Sequence, residues 1–385
     1  MSLTLVPAAC AFASGFAMRM VDPLMLPIAQ QFGLGATTVA LLTSAYALPY
    51  ALAQPFLGPL GDRFGKARCM QVCVLVLALA LTVGVFAPSF HWLLASRLVA
   101  GAFAGGVIPL LLADLGDAYD LQERQVVIGR LLVVIISGQM LGSAVSGIVN
   151  DLFGWRSALG LAAAAALFAA ASAALNRPRR ASGSAQASTS SSFAALYARV
   201  FDNPKAPHLY AAVVCEGALV FAPFPYVGQL LIEHAGGAAG AAPTQTGLVL
   251  GAFGIGGIAY GFAVRRIVGA FGKRRLCAVG SAVVAAVFAL LVVWPVWWLH
   301  ALTMVACGFG YYMLHNALQI EATELAPGAR GSAVALFACG LFGGAALGPP
   351  LFGWLLHRVG FTVALAIVAL GVAALGQWVI RRVVD

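Results

Sequence analysis

Charged residues are scarce in this chain. Asp, Glu, Lys and Arg make up 9% of its 385 residues, whereas a soluble globular domain contains about 25%. Hydrophobic residues make up 62%, and the mean hydropathy is +0.94. So little polar surface could not keep a chain of this length in water, which excludes a soluble protein and predicts an integral membrane protein.

The sequence also lacks the alternation of apolar and polar residues that is typical of membrane β-barrels. Its apolar residues come instead in unbroken runs of about 20, the length of a helix that crosses a bilayer. There are twelve such runs, at residues 5–30, 38–60, 69–87, 90–113, 129–150, 157–176, 208–232, 245–265, 276–294, 297–323, 331–356 and 361–380. The predicted fold class is an all-α membrane protein with 12 transmembrane helices.

The distribution of basic residues predicts an orientation. With the N-terminus in the cytoplasm, 18 of the 22 Lys and Arg residues fall on the cytoplasmic side, as the positive-inside rule requires. Only Arg156 and Arg358 fall on the far side, and Arg19 and Arg97 lie within spans. We therefore expect a multi-pass protein of a bacterial inner membrane with both termini cytoplasmic. Its net charge of +9 is explained by that orientation in the lipid bilayer, which is the expected partner. We expect no nucleic acid as a partner.

Motifs of catalysis and metal binding are lacking too. The sequence has no HExxH pattern and no nucleophile–base constellation, so we expect no catalytic residue, no metal and no cofactor. Seven cysteines are scattered along the chain. Cys69 and Cys73 lie one helical turn apart and could share a soft metal, but small apolar helix residues are the favoured interpretation. A membrane-embedded enzyme is thus disfavoured, and a sensor that binds a ligand without transporting it stays open.

One polar segment divides the chain. We predict an N-terminal six-helix bundle over residues 1–176, a cytoplasmic linker over 177–207 and a C-terminal six-helix bundle over 208–385. The linker begins as a Ser/Ala-rich stretch, which is typical of a flexible connection. Its second part favours a short amphipathic helix on the membrane surface, with a mobile linker as the alternative. The apolar residues on one face of that helix are Phe193, Leu196, Tyr197, Val200 and Phe201.

The two bundles repeat one pattern. Gly142 and Gly348 are separated by 206 positions, as are Arg124 and Arg330. The tripeptide Phe-Gly-Lys at residues 64–66 returns at 271–273, an offset of 207. A nearly constant offset indicates a duplicated six-helix unit and two pseudo-symmetric halves.

The short basic loop between the second and third runs carries the most specific motif. It matches the pattern G-x-L-x-D-R-x-G-R/K at Gly58, Leu60, Asp62, Arg63, Gly65 and Lys66. This loop resembles the signature between helices two and three of the major facilitator superfamily (MFS) of transporters. The resemblance implies the MFS fold.

Two further motifs extend the resemblance. Arg97 and Gly101 in span four are similar to the family's R-x-x-x-G motif, and Gly138, Gly142 and Gly147 in span five to its antiporter motif. Ser143 replaces the proline of that motif. The resemblance implies a drug or metabolite:proton antiporter-like efflux protein, with a small-molecule substrate and protons as partners, acting as a monomer.

Charged residues within spans are costly and need a partner or a function. Arg19 and Asp22 lie three residues apart, on one face of span one. In the MFS fold, spans one and four line the central cavity. The resemblance therefore implies a proton-coupling site of Asp22, Arg19 and Arg97, in which Asp22 takes up a proton and releases it when cargo binds. The alternative is a permanent Arg19–Asp22 ion pair that braces span one.

A second polar group falls in spans seven and ten, which the MFS fold also places around the cavity. Glu216 with His315 is a candidate for a second proton-coupling site or for polar contacts with cargo. The alternative for His315 is a bond to a backbone carbonyl or to Asn316. The candidate substrate-binding residues would form an amphipathic cavity wall, although aromatic residues in spans often only pack; they are Tyr46, Tyr50, Gln54, Tyr226, Gln229, Tyr312, His315, Asn316 and Gln319.

Gating is predicted from glycines and from the signature loop. The pairs Gly138/Gly142 and Gly344/Gly348 have the GxxxG spacing that permits close helix contact. The resemblance implies that Asp62 docks at the start of span eleven, near Gly331, and holds the cytoplasmic side closed in the outward-open state. The full gating set is Gly58, Asp62, Arg63, Gly65, Lys66, Gly138, Gly142, Gly344 and Gly348.

Together these observations predict a secondary active transporter that exports a small organic compound by proton antiport through alternating access. The alternative is a proton symporter or uncoupled facilitator for a sugar or an organic acid.

Overall fold

The computed structural model describes residues 5–118, 121–175, 193–234, 242–293 and 296–384, and within these ranges all regular structure is helical. The first half consists of α1 (Leu5–Arg19), α2 (Met25–Phe32), α3 (Ala36–Phe64), α4 (Lys66–Val85), α5 (Phe90–Ala118), α6 (Leu121–Phe153) and α7 (Trp155–Leu175). The second half follows with α8 (Phe193–Phe201), α9 (Ala206–Phe221), α10 (Val227–His234), α11 (Pro243–Leu290), α12 (Trp297–Leu325) and α13 (Arg330–Arg382).

Twelve membrane spans are built from these helices, counted over the described residues. α1 with α2 forms one interrupted span, and α9 with α10 forms another. α11 and α13 are 48 and 53 residues long, more than twice the roughly 20 residues that cross a bilayer. Each of them turns back at a glycine with positive φ, at Gly272 (67°) and Gly360 (73°). Each half therefore has six spans, numbered one to twelve below, and the predicted fold class is confirmed.

The repeated Phe-Gly-Lys tripeptide forms the same turn in both halves. Gly65 (φ 91°) joins α3 to α4, and Gly272 joins spans eight and nine in the second half. A residue with a Cβ is strained at such φ values, whereas glycine is not. The offset found in the sequence therefore corresponds to equivalent turns in the structure.

The first span of each half is interrupted near its middle. Residues Asp22–Leu24 form a 3₁₀ turn between α1 and α2, and Phe224–Tyr226 form one between α9 and α10. Each turn contains a proline, Pro23 or Pro225, which has no N–H to continue the helical ladder. A run that looks like one helix in the sequence is thus two helices, and the two 3₁₀ turns contact each other.

Each half has its own apolar core. The buried residues of the first half run from Cys10 to Ala173, and those of the second half from Val200 to Val384. Large apolar side chains also remain on the surface, such as Leu175 (84% exposed) and Leu370 (71%). Lipid accommodates such an apolar surface, whereas water does not.

The helix of the predicted linker, α8, packs beneath the second half. Val200 is fully buried, and the Asn203 side chain donates a hydrogen bond to the Leu325 carbonyl (3.1 Å). The Tyr197 hydroxyl donates to the Pro55 carbonyl of span two (3.1 Å), so α8 contacts both halves. Residues 177–192 of the predicted linker lie outside the described residues.

The seam between the halves is closed at one membrane face. We call the face that carries Gly65, Lys273 and Arg330 the basic face, and the other the opposite face. Near the opposite face, spans two and eleven meet where the Ser44 hydroxyl donates to the Ala346 carbonyl (2.6 Å). Spans five and eight meet where the Thr244 N–H donates to the Asp151 carboxylate (2.9 Å). A Cβ at Gly147 would overlap the Pro243 carbonyl, so the backbones touch there.

Towards the basic face spans five and eight separate, whereas spans two and eleven remain in contact at Tyr50 and Phe342 (4.4 Å between ring centres). Gly254 of span eight packs on Met140, but at Gly261, two turns further along, a Cβ would find no atom within 4 Å. Val133 of span five is 45% exposed. Gly331, at the start of span eleven, is equally open. Spans five and eight are therefore in contact towards the opposite face and apart towards the basic face.

The glycine contacts between spans eight and ten generate a stability prediction. A Cβ at Gly308 would overlap the Phe253 carbonyl oxygen, whereas one at Gly261 would meet nothing. We expect Gly308→Ala to cost about 1–3 kcal/mol through overpacking and to lower the melting temperature in detergent by several degrees, measured with a thiol-reactive dye. Gly261→Ala is the matched control and should leave the melting temperature unchanged or raise it slightly, because Ala is the better helix former. Equal melting temperatures for the two variants would contradict the close contact at Gly308.

Candidate functional site

The embedded charged residues of the first half gather around the interruption of span one. Asp22 lies in the 3₁₀ turn and is 2% exposed. The Thr43 hydroxyl donates to its Oδ1 (3.0 Å), and Nη1 of Arg19 lies 3.5 Å from its Oδ2. That oxygen has no hydrogen-bond partner. The Arg19–Asp22 pair is therefore a loose one, since a charge-assisted N–H···O bond measures about 2.7–2.9 Å.

Arg97 reaches the same region from span four. It is 1% exposed, its Nη1 donates to the Ala17 carbonyl (3.0 Å), and its guanidinium lies 4.1 Å from the centre of the Tyr46 ring. Its Nε and Nη2 have no hydrogen-bond partner. Although Asp22 and Arg97 are both described, they form no ion pair within 4 Å. The buried cluster thus holds two guanidiniums and one carboxylate.

Arg19 crosses the seam between the halves. Its guanidinium lies 4.2 Å from the centre of the Phe221 ring and 5.0 Å from that of Phe224, both in the interrupted span seven. The Ser143 hydroxyl of span five donates to the Arg19 carbonyl (3.2 Å). A cation on an aromatic face gains a further attraction of about 0.5–2 kcal/mol. Arg19 therefore joins the charged cluster of one half to the aromatic residues of the other.

The second half carries its own buried acid. Glu216 of span seven is fully buried, and its Oε2 lies 3.2 Å from Nδ1 of His315 in span ten. The Tyr311 hydroxyl lies 3.3 Å from the same nitrogen, while Oε1 of Glu216 has no hydrogen-bond partner. The expected alternatives for His315, a backbone carbonyl or Asn316, are wrong. Asn316 donates instead to the Tyr260 hydroxyl (2.7 Å).

A small cavity lies at the seam next to Arg19. Its volume of about 20 Å³ is enough for a single water. We call it the seam cavity; it is lined by Arg19, Ile136, Gln139, Met140, Ser143, Phe224, Leu250, Phe253, Gly254 and Tyr312. It draws residues from spans one, five, seven, eight and ten, so both halves contribute to it.

The structure places the other predicted substrate-binding residues in three kinds of position. Tyr46 and Tyr50 are buried in the packing of span two, with the Tyr50 ring 4.4 Å from that of Phe342. The side chains of Gln54 and Tyr226 are directed at backbone, donating to the carbonyls of Gly105 (3.0 Å) and Pro349 (2.9 Å).

The remaining two glutamines make no hydrogen bond in the described structure: Gln229 is partly buried and Gln319 is exposed. Of the nine predicted substrate-binding residues, Tyr312 alone lines the seam cavity.

The glycines of the predicted gate lie at helix contacts. Gly138 and Gly142 pack on the Phe12 and Phe16 carbonyls of span one, and Gly344 and Gly348 on the Val214 and Ala218 carbonyls of span seven. Each pair thus brings span five or eleven against the first span of its own half.

The signature loop is described only in part. Arg63 is exposed and lies over the Phe64 ring (5.3 Å), Lys66 is half-buried, and Gly65 forms the turn. The surroundings of Gly58 and the side chain of Asp62 lie outside the described part of the structure.

Several site residues were missed in the sequence. The rings of Phe221 and Phe253 each lie 5.3 Å from the ring of Tyr311, and Thr43 holds Asp22. Span seven is rich in phenylalanine and proline at residues 221–225, which could have indicated an interruption at that point. Thr43 carries no such signal, because a threonine in a span usually bonds to its own helix.

Comparison with known proteins gives one family. The Major Facilitator Superfamily profile matches residues 8–239 and 209–384. The multi-drug resistance efflux pump PmrA of Streptococcus pneumoniae is 29% identical over 150 residues, 38% of this chain and 37% of the pump. The niacin transporter NiaP of Acinetobacter baylyi is 33% identical over 112 residues, 28% of this chain and 25% of the transporter. The chain thus matches well under half the length of these curated relatives.

A crystal structure of a mutant of the nucleoside transporter NupG has the same fold. It superposes with a TM-score of 0.81, 13% identity and coverage of 98% of both chains.

Although the Arg19–Asp22 contact is long, both charged groups lie inside the protein. We therefore expect the effects of substituting Arg19 and Asp22 on stability to be strongly coupled. Removing one partner leaves a buried charge unopposed, which costs about 3–5 kcal/mol, whereas removing both costs less than the sum. We expect Arg19→Gln and Asp22→Asn each to lower the melting temperature in detergent, and the double variant to lie well above the additive value. Lys273 with Glu324 is the comparison pair, because its side chains are 33% and 60% exposed at 2.6 Å. Lys273 also contacts Glu321 (2.8 Å), and the coupling between Lys273 and Glu324 should not exceed about 1 kcal/mol. Additive effects at Arg19 and Asp22 would mean that the two charges do not interact.

Proposed function

The chain belongs to the Major Facilitator Superfamily, and we propose that it is a proton-coupled secondary transporter for a small organic compound, working by alternating access. The observation that carries this proposal is the loose Arg19–Asp22 pair at the seam. A charged pair inside a membrane protein is costly and is usually kept for function. Here it lies beside a cavity to which both halves contribute.

We take the basic face to be the cytoplasmic face. The loops there carry Lys66, Lys273 and Arg330, and basic residues are retained on the cytoplasmic side of bacterial membranes. Both termini then lie in the cytoplasm and the protein resides in the inner membrane. In this assignment spans five and eight meet towards the outside and part towards the inside.

Transport would follow from rocking the two halves about the seam. Opening the outside must break the contacts of spans two and eleven and of spans five and eight. The glycine pairs of spans five and eleven would let these helices slide against spans one and seven. In the outward-open state, Asp62 would dock near the open position at Gly331 and hold the cytoplasmic side closed.

Asp22 is the proposed carrier of the proton, and Arg19 and Arg97 would set its charge state. Glu216 with His315 is the proposed second proton-coupling pair. While Asp22 is ionised, it holds Arg19; when it takes up a proton, that attraction ends and Arg19 is released. The cargo and the proton would thereby act on the same guanidinium. Tyr312 is the predicted substrate-binding residue best placed to contact cargo here. We assign no enzymatic reaction to the chain. We infer that it acts as a monomer, with substrate, protons and lipid as its partners.

Export by proton antiport is the form of coupling that the sequence favours, and the similarity to an efflux pump supports it. Proton symport of an organic acid is the second candidate. One observation favours it: the charged residue that lines the seam cavity is Arg19, whereas Asp22 lies behind it. The niacin transporter among the relatives supports this form too, because niacin is an organic acid.

The role of Asp22 generates the first transport prediction. Asp22→Asn keeps the shape of the side chain but cannot exchange a proton, so proton-driven flux should fall to the level of empty liposomes while the protein still purifies as a folded species. The measurement is the change in internal pH of proteoliposomes on addition of substrate, after a thermal-shift screen at two pH values has identified a substrate. The sign of that change separates antiport from symport.

Asp202→Asn is the matched control, because Asp202 is exposed beside α8, away from the seam, and should keep wild-type flux. Wild-type flux in Asp22→Asn would remove Asp22 from the mechanism.

Alternating access generates the second transport prediction. Ser44 and Ala346 touch across the closed seam, so the double variant Ser44→Cys with Ala346→Cys should form a disulfide in a background without the native cysteines. Oxidation should abolish flux, because the outside can no longer open, and a reductant should restore it. Each single cysteine variant serves as a control and should be insensitive to the oxidant. Full flux in the cross-linked protein would rule out opening at spans two and eleven.

A further inference from the structure

The seam cavity presents one charged group to an incoming molecule. Arg19 lines the cavity and its side chain is 12% exposed, while the Asp22 side chain behind it is 1% exposed. Glu216, the buried acid of the other half, is fully buried and contacts His315. A ligand in the cavity therefore meets a guanidinium before it meets any carboxylate.

The guanidinium of Arg19 is only loosely held. Its distance of 3.5 Å from Asp22 leaves Oδ2 without a hydrogen bond, so the bidentate geometry that Arg forms with a carboxylate is lacking. The second guanidinium, Arg97, faces the cluster from span four and also has unpartnered nitrogens. Two cations against one anion leave an excess positive charge beside the cavity, which favours an anionic ligand.

The rest of the cavity wall suits a flat apolar body. Phe224, Phe253 and Tyr312 line it together with aliphatic side chains, and Gln139 and Ser143 add hydrogen-bonding groups. Aromatic rings pack well against one another at ring-centre distances of about 4.5–7 Å. Because the cavity now has room for only one water, ligand entry requires these side chains to move apart.

We propose that the ligand of the seam cavity is an aromatic carboxylate whose acid group binds Arg19 in place of Asp22, and that its binding draws a proton onto Asp22. This inference rests on the proposed transport function and selects its symport form. The two negative charges compete for one guanidinium and repel each other. Protonation of Asp22 therefore strengthens binding of the anion, and by linkage the anion favours protonation of Asp22.

The groups that face this exchange come from both halves. Asp22 is faced by Arg19, by Thr43 of span two and by Arg97 of span four. Arg19 is in turn faced by Tyr311 and Tyr312 of span ten. Beyond Tyr311 lies the Glu216–His315 pair, whose protonation could also make binding depend on pH. Variants must therefore separate the two acids.

The test is calorimetric titration of the full chain in detergent. The probes are benzoate, phenylacetate and 1-naphthoate, with benzyl alcohol and benzylamine as neutral and cationic counterparts. Titrations at pH values of about 6 and about 8 keep the carboxylate probes ionised. We expect the carboxylates to bind at least about tenfold more tightly than the counterparts, and more tightly at the lower pH, by up to about tenfold per pH unit. Titration in two buffers of different ionisation heat should report proton uptake on binding.

Three variants assign the effect to residues. Arg19→Met should weaken carboxylate binding by at least about tenfold. Asp22→Asn should keep carboxylate binding and lose its pH dependence, whereas Glu216→Gln should keep both. Arg199→Met, at an exposed position in α8 and away from the seam cavity, is the matched control for Arg19→Met and should bind as the wild type does. The melting temperature of each variant shows whether it is folded, and Arg19→Gln, which also removes the charge, replaces Arg19→Met if the latter is not.

Four outcomes would overturn the proposal: no binding of any of the three carboxylates, equal binding of benzylamine, tighter carboxylate binding at the higher pH, or unchanged binding in folded Arg19 variants. Flux measurements separate this failure from failure of the transport function. Carboxylate binding with proton uptake but without flux in proteoliposomes would remove the transport function and keep the ligand assignment. Flux of a neutral or cationic compound without carboxylate binding would keep the transport function and remove the ligand assignment.

Discussion

An ion pair inside a membrane protein depends on the protein for its partners, because little water is present to replace either one. In this chain the pair of Arg19 and Asp22 lies where Pro23 interrupts the first span, and Thr43 holds the carboxylate in place. The carboxylate is therefore fixed to the first half, while the guanidinium extends to the Phe221 ring of the second half. Any movement of one half against the other changes the surroundings of Arg19 before it changes those of Asp22.

The seam around this pair is built from backbone as much as from side chains. Gly147 and Gly247 let spans five and eight approach closely. A Cβ at either position would overlap a carbonyl oxygen of the other helix. Such contacts are close but have no side chains to interlock, so helices can part there without repacking a core. The apolar cores lie mostly inside the two halves, as the proposed movement of each half as a unit requires.

Much of the fold could be predicted from the sequence, since run length, loop charge and a repeated offset depend on local composition. The turns at Gly65 and Gly272 followed from one repeated tripeptide. Depth within the membrane could also be estimated, and Glu216 and His315, at similar depth in spans seven and ten, are in contact.

Rotation about the helix axis could not be predicted in the same way, because it depends on packing between helices far apart in the chain. Gln54 and Tyr226 have a suitable depth for a cavity, but their side chains are directed at the carbonyls of Gly105 and Pro349. Arg19 was expected to act within its own half, and its contact with Phe221 became visible only when both halves were placed together.

The two halves share a shape but not a charge. In their ordinary charge states, Arg19, Arg97 and Asp22 give the buried centre of the first half one net positive charge, and Glu216 gives that of the second half a negative one. Moving one elementary charge across a membrane voltage of about 100 mV changes its free energy by about 2.3 kcal/mol. A smaller displacement changes it in proportion. The resting voltage of a cell would therefore push the two centres in opposite directions along the membrane normal, and the proposed rocking of the halves would be an electrical event as well as a mechanical one.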